Sequence, residues 1–133
     1  MQNVFIVGSP FECDLINVTQ AGYFTEYEMK VSIADFKADF RKRSYAINKH
    51  EYYANQQPAK ETIPRPRKFY FVTPAGLLSN ETLPDHCGLI EWGESFGYYK
   101  VKTRIEPKQI RLPTKLDSKQ IFNLCVKASY KAK

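Results

Sequence analysis

The sequence predicts a single α/β domain spanning residues 1–133. Three observations predict it. Two strand-like runs joined by a short turn open the chain, a capped helix follows directly, and later apolar runs end in a second capped helix. "NVFIV" (3–7) is a short apolar run suited to an edge strand. "ECDLINV" (12–18) reads as a strand, Thr19 to Gly22 as a turn, and "YFTEYEMKV" (23–31) as the next strand of a hairpin. Side chains alternate along a strand, so Phe24, Glu26, Glu28 and Lys30 share one face and Tyr23, Thr25, Tyr27, Met29 and Val31 the other.

Ser32 then opens a helix expected over 33–43. Its hydroxyl suits an N-cap, with Asp35 three residues on, and Ile33, Phe36 and Phe40 recur at helical spacing. Arg41, Lys42 and Arg43 are expected in its last turn, where the helix dipole favours cations. Residues 44–66 lack a period and contain Pro58, Pro64 and Pro66, so they read as a long polar binding loop. Its Tyr45, Tyr52 and Tyr53 suit either stacking on nucleic acid or pinning the loop to the body.

"KFYFVT" (68–73) reads as a buried strand, and Thr73-Pro74 as the cap and first residue of a short helix through "AGLL". "GLIEW" (88–92) and "YYKVKTRI" (98–105) form a hairpin, with Lys100, Lys102 and Arg104 as a basic stripe. The last helix starts near Asp117, with Gln120 at the third position and Leu116 against Ile121. Ile121, Leu124, Cys125 and Ala128 form its buried stripe.

Composition narrows the function classes. Cys13, Cys87 and Cys125 are an odd set without CxxC spacing, which argues against a disulfide scaffold or zinc module and for a reducing compartment. His50 and His86 are too scattered for a His-based metal site, and the His86-Cys87 pair reads as a loop feature. No signal peptide and no apolar run of membrane-spanning length is expected, so the reading is cytoplasmic with no membrane partner. Net charge is +6, yet residues 1–36 hold five acids against Lys30 alone, while 99–133 hold ten bases against Glu106 and Asp117. A basic body around an acidic pocket suits a polyanion whose chemistry needs a cation, although basic surfaces also occur without such a role.

The chemistry-bearing pattern is an acid, one residue, then lysine. It occurs four times: Glu28/Lys30, Asp35/Lys37, Glu106/Lys108 and Asp117/Lys119. Two lie in first turns of helices, where i and i+2 point apart. Glu106/Lys108, downstream of a literal Pro84-Asp85, has Pro107 between its members, and proline removes a ladder donor. Only Glu28/Lys30 sits inside a strand, with Asp14 one hairpin away. Two carboxylates and a backbone carbonyl suit a hard cation such as Mg²⁺, and a nearby lysine suits water positioning or phosphate charge. The same residues also fit an ordinary cross-strand charge ladder.

"CDLINVTQAGYFTEYEMKVSIADFKADF" resembles the PD-(D/E)XK nuclease superfamily, with its restriction-endonuclease-like fold. It is most similar to small bacterial and phage proteins related to the MmcB-type DNA-repair group. The matching residues are Asp14, Glu28, Lys30, Ser32 and Asp35-Phe36, with "FYFVTPAGLL" and "LPDHCGLIEW" further on, so the resemblance covers roughly 12–92. It implies a mixed β-sheet flanked by helices, with 3–7, 12–18 and 23–31 as a meander and helix 33–43 crossing to a parallel strand 68–73.

The resemblance also implies Mg²⁺- or Mn²⁺-dependent hydrolysis of phosphodiester bonds in DNA, in phage or repair metabolism within a bacterial cell or phage-infected host. Asp14, Glu28 and the Met29 carbonyl would hold the metal, Lys30 would position water, and Glu26 and Glu12 would be accessory acids. Lys37, Arg41, Arg43, Lys49, Arg65, Arg67, Lys100, Lys102 and Arg104 would meet the DNA. The alternative is a catalytically inactive nuclease-fold module that binds DNA or protein. The residues before Asp14 are expected to be too few for the superfamily's first core helix, which would be absent, replaced by the C-terminal helix, supplied by a partner chain or lost at the gene start; an open sheet face would favour a homodimer or protein partner.

Overall fold

Burial along the strand bearing Glu28 follows the expected alternation: Phe24, Glu26 and Lys30 are buried, and Met29 is exposed. The computed structural model describes residues 4–6, 8–54, 63–95 and 97–131. In chain order its elements are β1 (Val4–Phe5), β2 (Glu12–Cys13), β3 (Leu15–Val18), β4 (Phe24–Met29), α1 (Ile33–Asp39), α2 (Lys49–Tyr53), β5 (Lys68–Pro74), β6 (Cys87–Ser95), β7 (Tyr98–Ile105) and α3 (Ser118–Lys131). Five strands form one mixed sheet in the order β3-β4-β5-β6-β7. Strands β4, β5 and β6 are parallel, and β3 and β7 run antiparallel at the two edges. The fold is therefore α/β, a five-stranded mixed sheet flanked by few helices, with β5 parallel to β4 as expected. No described helix is long and apolar enough to cross a membrane.

The expected meander is broken. The run 12–18 splits at Asp14 into β2, which pairs with β1 in a separate two-stranded sheet, and β3, which pairs with β4. The cause is local. Asp14 Oδ2 accepts the Met29 N–H at 2.8 Å, so a side chain takes the place of the next ladder carbonyl and frees the backbone to turn.

Helix α1 starts where its cap predicts, with the Asp35 N–H donating to Ser32 Oγ at 3.1 Å. A cap of this kind is worth about 1 kcal/mol. It ends at Asp39 rather than 43, so Arg41, Lys42 and Arg43 lie beyond its last turn. Asn48 explains the early stop: its buried amide donates to the Lys42 carbonyl at 2.7 Å and the Asp39 carbonyl at 3.2 Å. Its Oδ1 in turn accepts the N–H groups of His50 and Glu51, capping α2.

Helix α2 lies inside the stretch expected to be an open loop. Between the helices, Ser44 and Ile47 bond reciprocally across Tyr45 (φ 51°) and Ala46 (φ 65°). Both central residues are left-handed, the geometry of a two-residue primed turn, at a cost of roughly 1–2 kcal/mol each for a side chain other than glycine. The remaining part of that loop, 55–62, lies outside the described residues.

The helix expected after Thr73-Pro74 is also absent. Pro74 closes β5 opposite Trp92, and 75–80 run through turns, with left-handed Gly76 (φ 82°) donating its N–H to Glu91 Oε2. The 88–105 hairpin forms as β6–β7.

Helix α3 carries a full capping box. Gln120 N–H donates to Asp117 Oδ1, and Asp117 N–H to Gln120 Oε1. Ile121 and Leu124 pack on a cluster of Ile6, Phe24 and Leu116. The expected buried roles of Cys125 and Ala128 lie outside the described side chains. A larger cluster joins Phe36 of α1 and Tyr52 and Tyr53 of α2 to Phe69, Phe71 and Leu89 of the sheet. Each such side chain contributes about 1.5–3 kcal/mol by leaving water. This cluster packs both helices against β5 and β6.

Candidate active site

Strand alternation delivers Glu26 and Glu28 of β4, and Lys30 just past its end, to one face. Two neighbours come from elements the sequence did not connect to them: Asp39, the last residue of α1, and Lys49, the first of α2. Lys30 Nζ lies 2.8 Å from Asp39 Oδ1 and 3.7 Å from Glu28 Oε1. Asp39 Oδ2 lies 2.6 Å from His50 Nε2, and His50 Nδ1 lies 3.0 Å from His86 Nε2. A buried polar chain thus runs from Glu28 into the core.

Glu28 is the strained member. Burial pushes its carboxyl up to about 7; Lys49 opposes this, and the charges of Asp14, Asp39 and Glu26 reinforce it. One oxygen, Oε2, is buried without a hydrogen-bond partner, with Lys49 Nζ at 3.7 Å. Burial likewise works against the charge on Lys30, but Asp39 and Glu28 outweigh it and hold the ammonium above the usual lysine range. For Asp39 burial is outweighed by His50 and Lys30, which keep it well below the usual carboxylate range.

A cavity of about 390 Å³ opens on this group, lined in part by Glu12, Glu28, Asp39, Lys42, Arg43 and Lys49. Anionic floor and basic rim lie together. A larger cavity, about 470 Å³, lies beside Asp85, Glu106 and Lys108, the literal Pro-Asp and Glu-x-Lys match. There the acids and Lys108 are exposed, Glu106 follows the end of β7, and it accepts a hydrogen bond from Tyr70. No buried carboxylate pair forms there, in keeping with the objection raised by Pro107.

The structure brings together Asp14, Glu28 and Lys30. Asp14 binds the N–H of Met29, the residue between the other two. Glu26 is close but committed: it is fully buried, with Oε1 accepting from Tyr53 at 2.6 Å and Oε2 from Lys49 at 2.6 Å. Glu12 contributes its backbone carbonyl to Lys49 at 2.6 Å.

Two of the residues expected to meet DNA do not lie on the open surface. Lys49 points into the site, drawn there by Glu26. Arg65 is buried, 2% exposed, with its guanidinium 4.3 Å from the centre of the Tyr52 ring. Tyr52 and Tyr53 are buried as well, so they pin the segment, whereas Tyr45 is exposed. Arg67 stacks on Tyr23 at 4.2 Å, Arg104 pairs with Glu91 at 2.8 Å and Arg43 with Glu51 at 3.3 Å. Lys37, Arg41, Lys100 and Lys102 are exposed.

His86 and Cys87 are also corrected: both are buried, and with His50 they place three metal-capable atoms within 4.8 Å of one another. The hydrogen-bonded chain accounts for both rings. Burial pushes the Cys87 thiol up and, with His50 adding to it, His86 down to about 3.

No family model and no curated protein matches the chain. A solved structure that it resembles is described as the SPO1766 protein of unknown function from Silicibacter pomeroyi. The two are 15% identical over 96% of this chain and 73% of that one, with a TM-score of 0.58. The likeness is one of fold.

Proposed function

We propose that this protein is a Mg²⁺-dependent nuclease of restriction-endonuclease-like fold that hydrolyses phosphodiester bonds in DNA. One observation carries the reading: Glu28 and Lys30 leave one strand face, Asp14 is bonded to the residue between them, and a buried Glu28 oxygen lacks a hydrogen-bond partner. All-oxygen donors at a partly buried, anionic spot fit a hard divalent cation. Asp14 and Glu28 would hold it, and when bound it supplies Lewis acidity toward a phosphate oxygen.

The chain's own groups do the rest. Asp39 holds Lys30 rigid, with its ammonium aimed beside Glu28, where it orients water and offsets charge gathering on the phosphate. Lys42 and Arg43 at the rim draw the backbone phosphates in. The water oxygen bonds to phosphorus as the bond to the departing sugar oxygen breaks, and a water proton reaches that oxygen through solvent.

The test is cleavage of single-stranded, duplex and branched DNA with Mg²⁺ or Mn²⁺, and again with chelator. Lys30→Ala is expected to lower the rate by about 10²–10³-fold, the usual loss when one charge-stabilising donor goes. Glu106→Gln is expected to cut like wild type. Equal cleavage by wild type and Lys30→Ala, or none by either, sinks the catalytic reading.

A second reading, a nuclease-fold binder without catalysis, draws on the close pairing of Lys30 with Asp39 and Lys49 with Glu26, which leaves neither lysine idle. For either reading, Lys100→Ser with Lys102→Ser should flatten the slope of log affinity against log salt by roughly 1.4–1.8. Arg65→Ala should lower the melting temperature instead. An unchanged slope in the double variant would remove β7 from the DNA surface.

A further inference from the structure

The ammonium of Lys49 rests on oxygens from three residues: Glu26 Oε2 at 2.6 Å, the Glu12 carbonyl at 2.6 Å and Glu28 Oε2 at 3.7 Å. Two carboxylates and a backbone carbonyl are the donor set that a hard metal ion takes. Here a lysine takes them. We propose that Lys49 is the site's built-in second cation, so that the carboxylates accept one divalent metal ion per chain and not two.

Three observations support this, and all rest on the metal-dependent reading of the site. The first is that Lys49 is held, not passing through. Asn48 caps α2 and fixes the start of the helix, and Lys49 is its first residue. Its side chain is 12% exposed, and the carboxylate it meets is fully buried.

The second is that both oxygens of Glu26 are already engaged. Tyr53, on the same helix as Lys49, occupies Oε1, and Lys49 itself occupies Oε2. Two residues four apart on α2 therefore clamp one carboxylate from both sides. The third is charge. Four carboxylates converge here, Asp14, Glu26, Glu28 and Asp39, against the ammonium groups of Lys30 and Lys49. With Glu26 paired to Lys49 and Asp39 to Lys30, Asp14 and Glu28 are the carboxylates left for a metal ion.

In two-metal phosphodiesterases the cations stand about 3.5–4 Å apart and clamp the reacting phosphate from both sides. Lys49 stands on the same side of the site, its Nζ 3.7 Å from the Glu28 oxygen that has no hydrogen bond. It would face the phosphate as a fixed positive charge that needs no loading and is present at any metal concentration.

The experiment is a calorimetric titration of Mn²⁺ into the full chain, wild type and Lys49→Met, with folding checked by circular dichroism. Wild type should bind one ion. Lys49→Met should bind two, or one at least fivefold more tightly, because a competing cation has left the carboxylates. Two ions or none in wild type overturns the proposal, as does a variant that binds one ion with less than a fivefold gain. If Lys49→Met does not fold, wild-type stoichiometry decides alone. One bound ion without cleavage of any DNA sinks the nuclease reading and leaves this one standing; cleavage with two bound ions does the reverse.

Discussion

Replacing Asp39 with alanine is expected to destabilise the protein by about 3–5 kcal/mol, the usual effect of removing one member of a buried ion pair. At this chain length that lowers the melting temperature by roughly 10–20 °C. The carboxylate serves two partners at once, Lys30 Nζ at 2.8 Å and His50 Nε2 at 2.6 Å, and all three groups are buried. Without it, among the described residues, the Lys30 ammonium keeps an ion pair with Glu28, at 3.7 Å. Asp39→Asn keeps the shape but loses the charge, and should cost about 1–3 kcal/mol.

The combination Lys30→Met with Asp39→Leu should be more stable than Asp39→Ala alone, because no charge is then left buried without its counter-ion. Thermal and urea unfolding measure all of these. A change under about 0.5 kcal/mol in Asp39→Ala would show that the Lys30–Asp39–His50 chain does not support the fold.

Glu28→Gln is expected to lower the proposed activity while stabilising the chain. On the proposed metal-dependent reading, loss of this carboxylate should lower cleavage on the order of 10³-fold, equivalent to about 4 kcal/mol of barrier. Stability moves the other way. Burial holds the Glu28 carboxyl at about 7 in the fold, above its unfolded value of 4.5. A group raised in this way contributes its stability in full below the unfolded value and loses it as pH rises through the folded one. Ionised Glu28 is thus a burden at pH 8, and glutamine lacks it.

The stability gain of Glu28→Gln over wild type should therefore grow between pH 4.5 and pH 8, by on the order of 3 kcal/mol. His86, kept neutral down to about 3, acts in the opposite sense below its ordinary value. It is common to both chains, so the difference between them isolates Glu28. A gain that does not change with pH would mean that Glu28 is not desolvated in the folded protein. A charged group kept in place at a cost to the fold, beside a cavity, is what a functional site predicts.

Several elements could be read from local chemistry alone. Ser32 and Asp117 each mark a helix start because a side-chain oxygen bonds an amide two or three residues on, an interaction complete within one turn. Alternation in β4 placed Glu28 and Lys30 together because adjacent strand residues point to opposite faces whatever lies around them. The hairpins 15–29 and 87–105 were readable for the same reason.

What the sequence could not show lies in contacts between distant segments. Helix α2 was hidden because its preceding turn uses Tyr45 and Ala46, where glycine or asparagine would have signalled a left-handed pair, and because Asn48 caps two helix ends at once. Asp39 and Lys49 were legible only as an acid in a helix and a base in a loop. A buried charge is recognised by its partners, and theirs sit 9 and 23 residues away in sequence. The break at Asp14 depends on an amide 15 positions on.

The amino-acid order by itself determined the α/β class, the strand face that carries Glu28 and Lys30, and the helix starts. Only the tertiary structure decided which charges are buried together. Desolvation is a property of packing: it makes Asp39 the holder of Lys30, turns Glu26 from a free acid into the anchor of Lys49, and takes Arg65 off the surface.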